Sequence, residues 1–187
     1  MTSILPFDEL NAFRLDIESK FGKQKLRDVI TKEEEEDIID ELLDLFLLSY
    51  SRANEVTNAN LSADWMPEVD VVMETVDKEV AGETWRERVN NWFENGTGDD
   101  IVRIAETESH RIANQAALDT AYKAGATRKT WVTMLDERVR FDHDLLEGVT
   151  VDIDEDFYAS DGSHAPAPGM FGVPEQDVNC RCELLFS

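Results

Sequence analysis

Cys180 and Cys182 are the two cysteines of the chain, and they stand one residue apart in the stretch DVNCRCELLF. Read as a strand, CRCELLF puts side chains i and i+2 on one face, so both thiols point the same way with Arg181 opposite. Two thiolates on one face can hold a single zinc ion when two further ligands arrive from elsewhere. His143 and His164 are the histidines that complete such a set arithmetically, giving Cys180, Cys182, His143 and His164. The competing reading is two small core residues, because free cysteines are among the most buried residue types. A bridge between the two would be strained, since a strand holds alternate Cα atoms near the upper limit for a disulfide.

A second polar group lies upstream: Asp136, Arg138, Arg140 and His143. A histidine near an aspartate can act as a general acid or base, and a cysteine with a histidine can form a nucleophile pair. The alternative is a salt-bridged network that orients the turn between a strand and a short helix. The chain has no Gly-rich phosphate loop and no H-E-x-x-H, so no second catalytic signature supports the sharper reading. A third group, Glu106, Glu108, His110 and Arg111, falls at helical spacing with Glu108 and Arg111 as an i, i+3 pair, and is expected to be a solvated face.

The elements that must position these residues divide the chain near residue 97. In front, Pro6 opens a helix carrying Phe7, Leu10, Phe13, Leu15 and Ile17 that Gly22 ends. Thr31 and Glu34 form a capping box at the start of a long helix whose apolar residues, from Ile38 to Tyr50, are too dense for a narrow stripe. Pro67 opens a third helix with Val69, Val72, Met73, Val76 and Val80 on one face and Gly82 as its stop, and a short aromatic helix runs from Trp85 to Asn95-Gly96. Behind residue 97, a helix from about Asp99 to Ala124 precedes a strand in KTWVTML, a short helix in RVRFDHDLLEG, a strand in VTVDI and a strand in CRCELLF. Trp131 on the first of these strands is expected in the core. The long Pro- and Gly-containing loop before the last strand is functional or needs fastening. The expected fold is therefore α+β: a mostly helical N-terminal half, 1–96, and a small mixed C-terminal domain, 97–187, with a long helix packed on a few-stranded sheet.

Charge narrows the partners. With 41 acidic and 18 basic side chains the formal net charge is −23, a field that repels phosphate backbones and anionic membranes. No specific nucleic-acid binding and no membrane association are expected. The acidity suits solubility, a basic partner or a high-salt host. The start MTSILPFDELNAF lacks the basic beginning of a signal peptide, and LLDLFLLSY, interrupted by Asp44, is too short to span a bilayer.

Taken together, the second half resembles the phage Mu F-like minor head proteins, the phage head morphogenesis family. That family's pattern has a helix with Thr-Glu and a later Asn, matched by Thr107, Glu108 and Asn114. A Lys-x-Trp strand follows, matched by Lys129 and Trp131, and then Asp-x-Arg-x-Arg-x-x-His, matched by Asp136, Arg138, Arg140 and His143. Gly148, Phe157, a proline-containing loop and Asn-Cys-Arg-Cys at Asn179 to Cys182 continue it in order. Glu106 stands where the family often has Arg, and the chain is short for the family. Some relatives carry a toxin domain after the Cys motif; only Glu183 to Ser187 follow here, and no fused effector is expected.

The resemblance implies a structural protein of a tailed virus, made in the host cytoplasm and packaged inside the head near the portal vertex. The portal protein is the implied partner, with the major capsid or scaffold protein as further candidates, and the role is in head morphogenesis or genome delivery. The helical region 1–96 would dock on the portal or capsid, and 97–187 would be the Mu F-like domain. Asn179 and Arg181 with the cysteines would fasten the long loop against the turn bearing Asp136 and His143. The family's His beside two Cys supports a structural zinc without requiring one; no other cofactor is implied. The rival reading is an enzyme, a nuclease or transferase using His143 with Asp136 or Cys180.

Overall fold

Thr31 and Glu34 fold as their spacing dictates in the computed structural model, which describes residues 3–187. The Glu34 amide donates to Thr31 Oγ1 at 3.2 Å, and the Thr31 amide donates to the Glu34 carboxylate at 2.8 Å. Helix α2, Lys32–Leu61, grows from that capping box, with α1, Phe7–Lys20, before it. A second box, Thr84 with Glu87, starts α4, Trp85–Asn95, and α5 follows as Gly98–Lys123. α2 and α5 pack along each other as the main helix pair. Their buried faces, Ile38, Leu42, Phe46, Tyr50 and Ala53 against Ile101, Ile104, Ala105, Ile112 and Ala116, form the spine of the helical core. Phe46 and Trp85 meet edge to face at 5.1 Å.

Two details of the helical region depart from the periodicity. In α1, Leu10, Phe13 and Ile17 are buried while Phe7 and Leu15 face outward, so its core stripe is narrower than its apolar content. The third helix, α3, is only Val69–Val76, and Val69 is exposed. It stops early because Arg111 of α5 donates to the carbonyls of Thr75 and Val76, after which the chain turns through Ala81 and Gly82, both at positive φ. Val80 therefore leaves the helical face and bridges Glu83.

The fold is α+β, with small antiparallel sheets confined to the C-terminal part. Strand β1, Arg128–Val132, is the centre of a three-stranded sheet between β2, Thr150–Asp152, and β5, Glu183–Phe186. Trp131 pairs with Leu184 across β1 and β5, and Lys129 with Val151 across β1 and β2. Between β1 and β2 lies α6, Phe141–Leu146. The loop before β5 holds a two-residue ladder, β3 Phe157–Tyr158 with β4 His164–Ala165, and a one-turn helix, α7, Pro174–Asp177. Strands this short carry no alternation for a sequence reading to detect. The last strand begins only at Glu183, so Cys180 and Cys182 lie in the extended lead into it rather than on a strand as expected. Asn179, at φ 58°, turns the chain out of α7 and prevents the strand from starting sooner.

The apolar interior has two parts. One cluster runs from Ile4 to Ala117 and includes most of α5; the other gathers Trp131, Leu146, Phe157, Phe171, Cys180, Cys182 and Leu184. α5, which the sequence reading assigned to the back half, thus supplies core to the front as well.

Candidate functional site

His143, Cys180 and Cys182 converge on one point. α6 carries His143 inward, and the segment after α7 brings both thiols to the same ring nitrogen: Sγ of Cys180 lies 3.6 Å and Sγ of Cys182 3.5 Å from Nδ1 of His143. The three ligand-type atoms lie within 4.8 Å of one another. Relative exposures of 1%, 5% and 3% for His143, Cys180 and Cys182 put all three in the interior. Aromatic rings fix the imidazole: Trp131 meets it edge-on at 5.3 Å and Phe171 stacks on it at 5.9 Å. The thiols are not equivalent. A hydrogen bond with Cys182, aided by His110 and His143, holds the Cys180 thiol well below the usual range. The same bond and burial push Cys182 up, so the pair favours one thiolate.

His164, the fourth candidate ligand, stands elsewhere. It sits on β4 with its Nδ1 2.6 Å from Asp156 and its side chain 57% exposed, because the small ladder with β3 turns it toward solvent. The ligand cluster among the described residues is therefore His143, Cys180 and Cys182.

The polar frame around the cluster uses the other sequence-selected residues. Arg181 points away from the thiols and grips Asp136 with two hydrogen bonds of 2.6 and 2.8 Å. That grip, with the Arg138 amide donating to the same carboxylate at 3.0 Å, holds the Asp136 carboxyl down at about 2. The Arg138 side chain is exposed and only 3.8 Å from Asp136. Arg140 donates to the carbonyl of Val178, tying the start of α6 to the end of α7. Asn179 is exposed and contributes its left-handed backbone.

α5 supplies the floor. His110 Nε2 and Asn114 Nδ2 approach the carbonyl of Cys182 at 2.7 and 3.2 Å, fixing the backbone that carries the second thiol. Glu108 lies between Arg88 at 2.8 Å and Arg111 at 2.8 Å, while Thr107 beside it is half-buried. Glu108, His110 and Arg111 are each only 2% exposed, so the expected solvated face is an interior polar network. A face that meets α3, α4 and the Cys segment together has no side left for water. Glu106 is half-buried, and burial raises its carboxyl above the usual range.

Several contributors carried no sequence signal. Asp177 accepts the amides of Phe171 at 2.9 Å and Gly172 at 2.7 Å, closing the long loop on itself. Gln176 donates to Asp142 and Asp161, each at 3.1 Å. Gly169, at φ 78°, presses the loop onto α5, where a Cβ would stand 3.1 Å from Nδ1 of His110. Such contacts join residues distant in sequence and of ordinary type; only the need to fasten a long loop foretold them.

A cleft of about 800 Å³ opens between α1, α5 and the Cys segment. Phe7, Leu10, Arg14, Arg138, Arg140 and Arg181 are on its walls, and Cys180 borders it.

The family described as Phage Mu protein F like protein matches residues 69–185. The minor head protein GP7 of Bacillus phage SPP1 is 35% identical over 85 residues, 44% of this chain and 28% of that protein. A protein of Enterococcus faecalis named NAD(+)–arginine ADP-ribosyltransferase EFV is 40% identical over 88 residues, 45% of this chain and 18% of that protein. The chain thus spans less than a third of the length of either curated relative. No solved structure matches.

Proposed function

Since the chain belongs to the phage Mu protein F-like family, we propose that it is a minor structural component of a tailed-phage head, placed inside the head and associated with the portal. The observation that carries this reading is the family match across 69–185, which takes in the complete Asp136 to Cys182 frame. The relative from phage SPP1, itself named a minor head protein, supports it. The helical region, 1–96, docks on the portal or the capsid interior, and apolar side chains exposed there, Phe7 and Leu15 on α1 and Met66 and Val69 around the start of α3, suit such a contact. A net charge of −23 keeps the protein off packaged DNA. The role is in head morphogenesis or genome delivery. Among the described residues no helix is long and apolar enough to cross a membrane.

The test is twofold. Mass spectrometry of mature virions of the cognate phage is expected to detect the chain, and the purified protein is expected to co-migrate with that phage's portal protein. Absence from virions together with no portal binding overturns the reading.

One observation favours a second reading: Cys180 Sγ stands 3.6 Å from His143 Nδ1 and borders the cleft, an arrangement a thiol nucleophile would use. The enzyme named among the relatives shares only 18% of its length with this match. Asp136, the other proposed catalytic partner, is engaged by Arg181 instead of His143. If this reading holds, His143→Ala abolishes an activity; the melting temperature falls under either reading, because the imidazole is packed between Trp131 and Phe171, and under the structural reading there is no activity to lose.

A further inference from the structure

We propose that His143, Cys180 and Cys182 bind a zinc ion, with a water molecule as fourth ligand, and that the ion staples the C-terminal segment to α6. The argument is independent of any role in a phage head.

Hydrogen bonding alone does not account for the symmetry of this cluster. Nδ1 of a neutral imidazole has either one lone pair or one hydrogen, so it serves one thiol, yet both sulfurs are set at nearly equal distances from it, 3.5 and 3.6 Å. A cation at the common focus uses all three donors. The distances agree with that. With Zn–S of about 2.3 Å and Zn–N of about 2.0–2.1 Å, a tetrahedral angle puts sulfur and nitrogen about 3.6 Å apart. Thiolate and imidazole donors in tetrahedral array select zinc over harder cations, which prefer oxygen.

The donors are also held in place by separate devices. Trp131 and Phe171 fix the imidazole. His110 and Asn114 fix the carbonyl of Cys182, and the Cys180 amide donates to the Asp177 carbonyl at 3.1 Å. Arg181 and Asp136 hold the residue between the cysteines outward. Packing thus orients the imidazole, whose Nε2 has no hydrogen-bond partner among the described residues, and hydrogen bonds orient the backbone that carries the thiols. Beside His143 and Cys182 is a cavity of about 10 Å³, lined by Met134, Val139 and Asn179 and by Arg138, Arg140 and Arg181. Its volume is at the lower limit for holding one water, about 10–15 Å³. That position supplies the fourth ligand, so His164 is not required.

The experiment is metal titration of the full chain after removal of bound metal with a chelator under reducing conditions. Metal content, thiol reactivity and melting temperature are followed as zinc is added, and cobalt(II) replaces zinc in a parallel series. About one equivalent of zinc per chain is expected, with both thiols protected from a thiol reagent until denaturation and a melting temperature that rises with zinc concentration. Cobalt is expected to give a thiolate-to-metal charge-transfer band and the intense visible bands of a tetrahedral site. Cys182→Ser, checked for retained helicity, loses the stoichiometric binding, and His164→Ala keeps it. The proposal is overturned if the metal-free wild type neither takes up zinc nor shifts its melting temperature, if the cobalt complex lacks the thiolate band, or if His164→Ala abolishes binding.

Discussion

The helical region and the α+β region solve the same problem with different means. Among the described residues the helical cluster buries twenty-five apolar side chains from Ile4 to Ala117, whereas the cluster around Trp131 has ten, three of them alanines and two cysteines. Burial scales with apolar area, so the second cluster supplies much less driving force. Much of the chain from 153 to 182 is loop, which is costly to order. The α+β region meets that cost with cross-links between side chains and backbone: Asp177 on two loop amides, Arg181 on Asp136, Arg140 on the Val178 carbonyl, and His110 with Asn114 on the Cys182 carbonyl. The helical region tolerates the loss of any one contact better than the α+β region tolerates the loss of a cross-link. α5 is the part they share.

The largest effects are expected at interior positions. Trp131→Ala empties the centre of the smaller cluster and is expected to lower unfolding free energy by about 3–5 kcal/mol, read from urea denaturation. Glu108→Ala strands Arg111 and Arg88 at the α5 junction. A loss of about 3–5 kcal/mol is expected there too, because an interior charge is left without its partner. If Glu108→Ala costs under about 1 kcal/mol, the value of a surface pair, the network does not hold α3 and α4 against α5.

Asp177→Ala tests the cross-links directly. It leaves the amides of Phe171 and Gly172 without their acceptor, and about 1–3 kcal/mol is expected to be lost, with faster protease cleavage in the loop from 159 to 173. Equal cleavage rates in the wild type and the variant would show that the loop is held by packing alone.

The smallest effect concerns pH. Asp136 is held down at about 2 in the folded chain, against an ordinary value of 3.8, by Arg181 first and the Arg138 amide after it. A depressed carboxyl stabilises the fold above its unfolded value, and that contribution is lost as pH falls from about 3.8 through about 2. The stability gap between wild type and Asp136→Asn should thus be present at neutral pH and close across that window. A gap that stays constant down to pH 2 would assign it to shape rather than charge.

How far the sequence foretold these regions follows the same division. The capping box at Thr31 and the apolar period of α5 are local signals: they placed the start of α2 and both ends of α5 within a residue or two, while α2 runs on to Leu61, beyond the apolar residues read as far as Tyr50. The α+β fold and the strands around Trp131 were legible from the change of period. β3, β4 and α7 were not, being too short for any pattern. At the candidate site, the C-x-C spacing singled out both thiols, but their common face comes from the turn at Asn179 rather than from a strand. His110 looked like surface because its neighbours in sequence are charged; its burial is decided by α3, α4 and the Cys segment closing over α5, which no local window contains. Asp177 and Gln176 were invisible for the same reason, each being defined by partners many residues away.

Native-state hydrogen exchange in increasing urea, resolved by segment, tests the comparison most directly. The account predicts that amides of β1 and β5, around Trp131 and Leu184, lose protection through an opening of lower free energy than those of α2 and the N-terminal half of α5. Exchange of α2 together with β1 would contradict it by showing a single cooperative unit, and exchange of α2 before β1 would contradict it by reversing the order of stability.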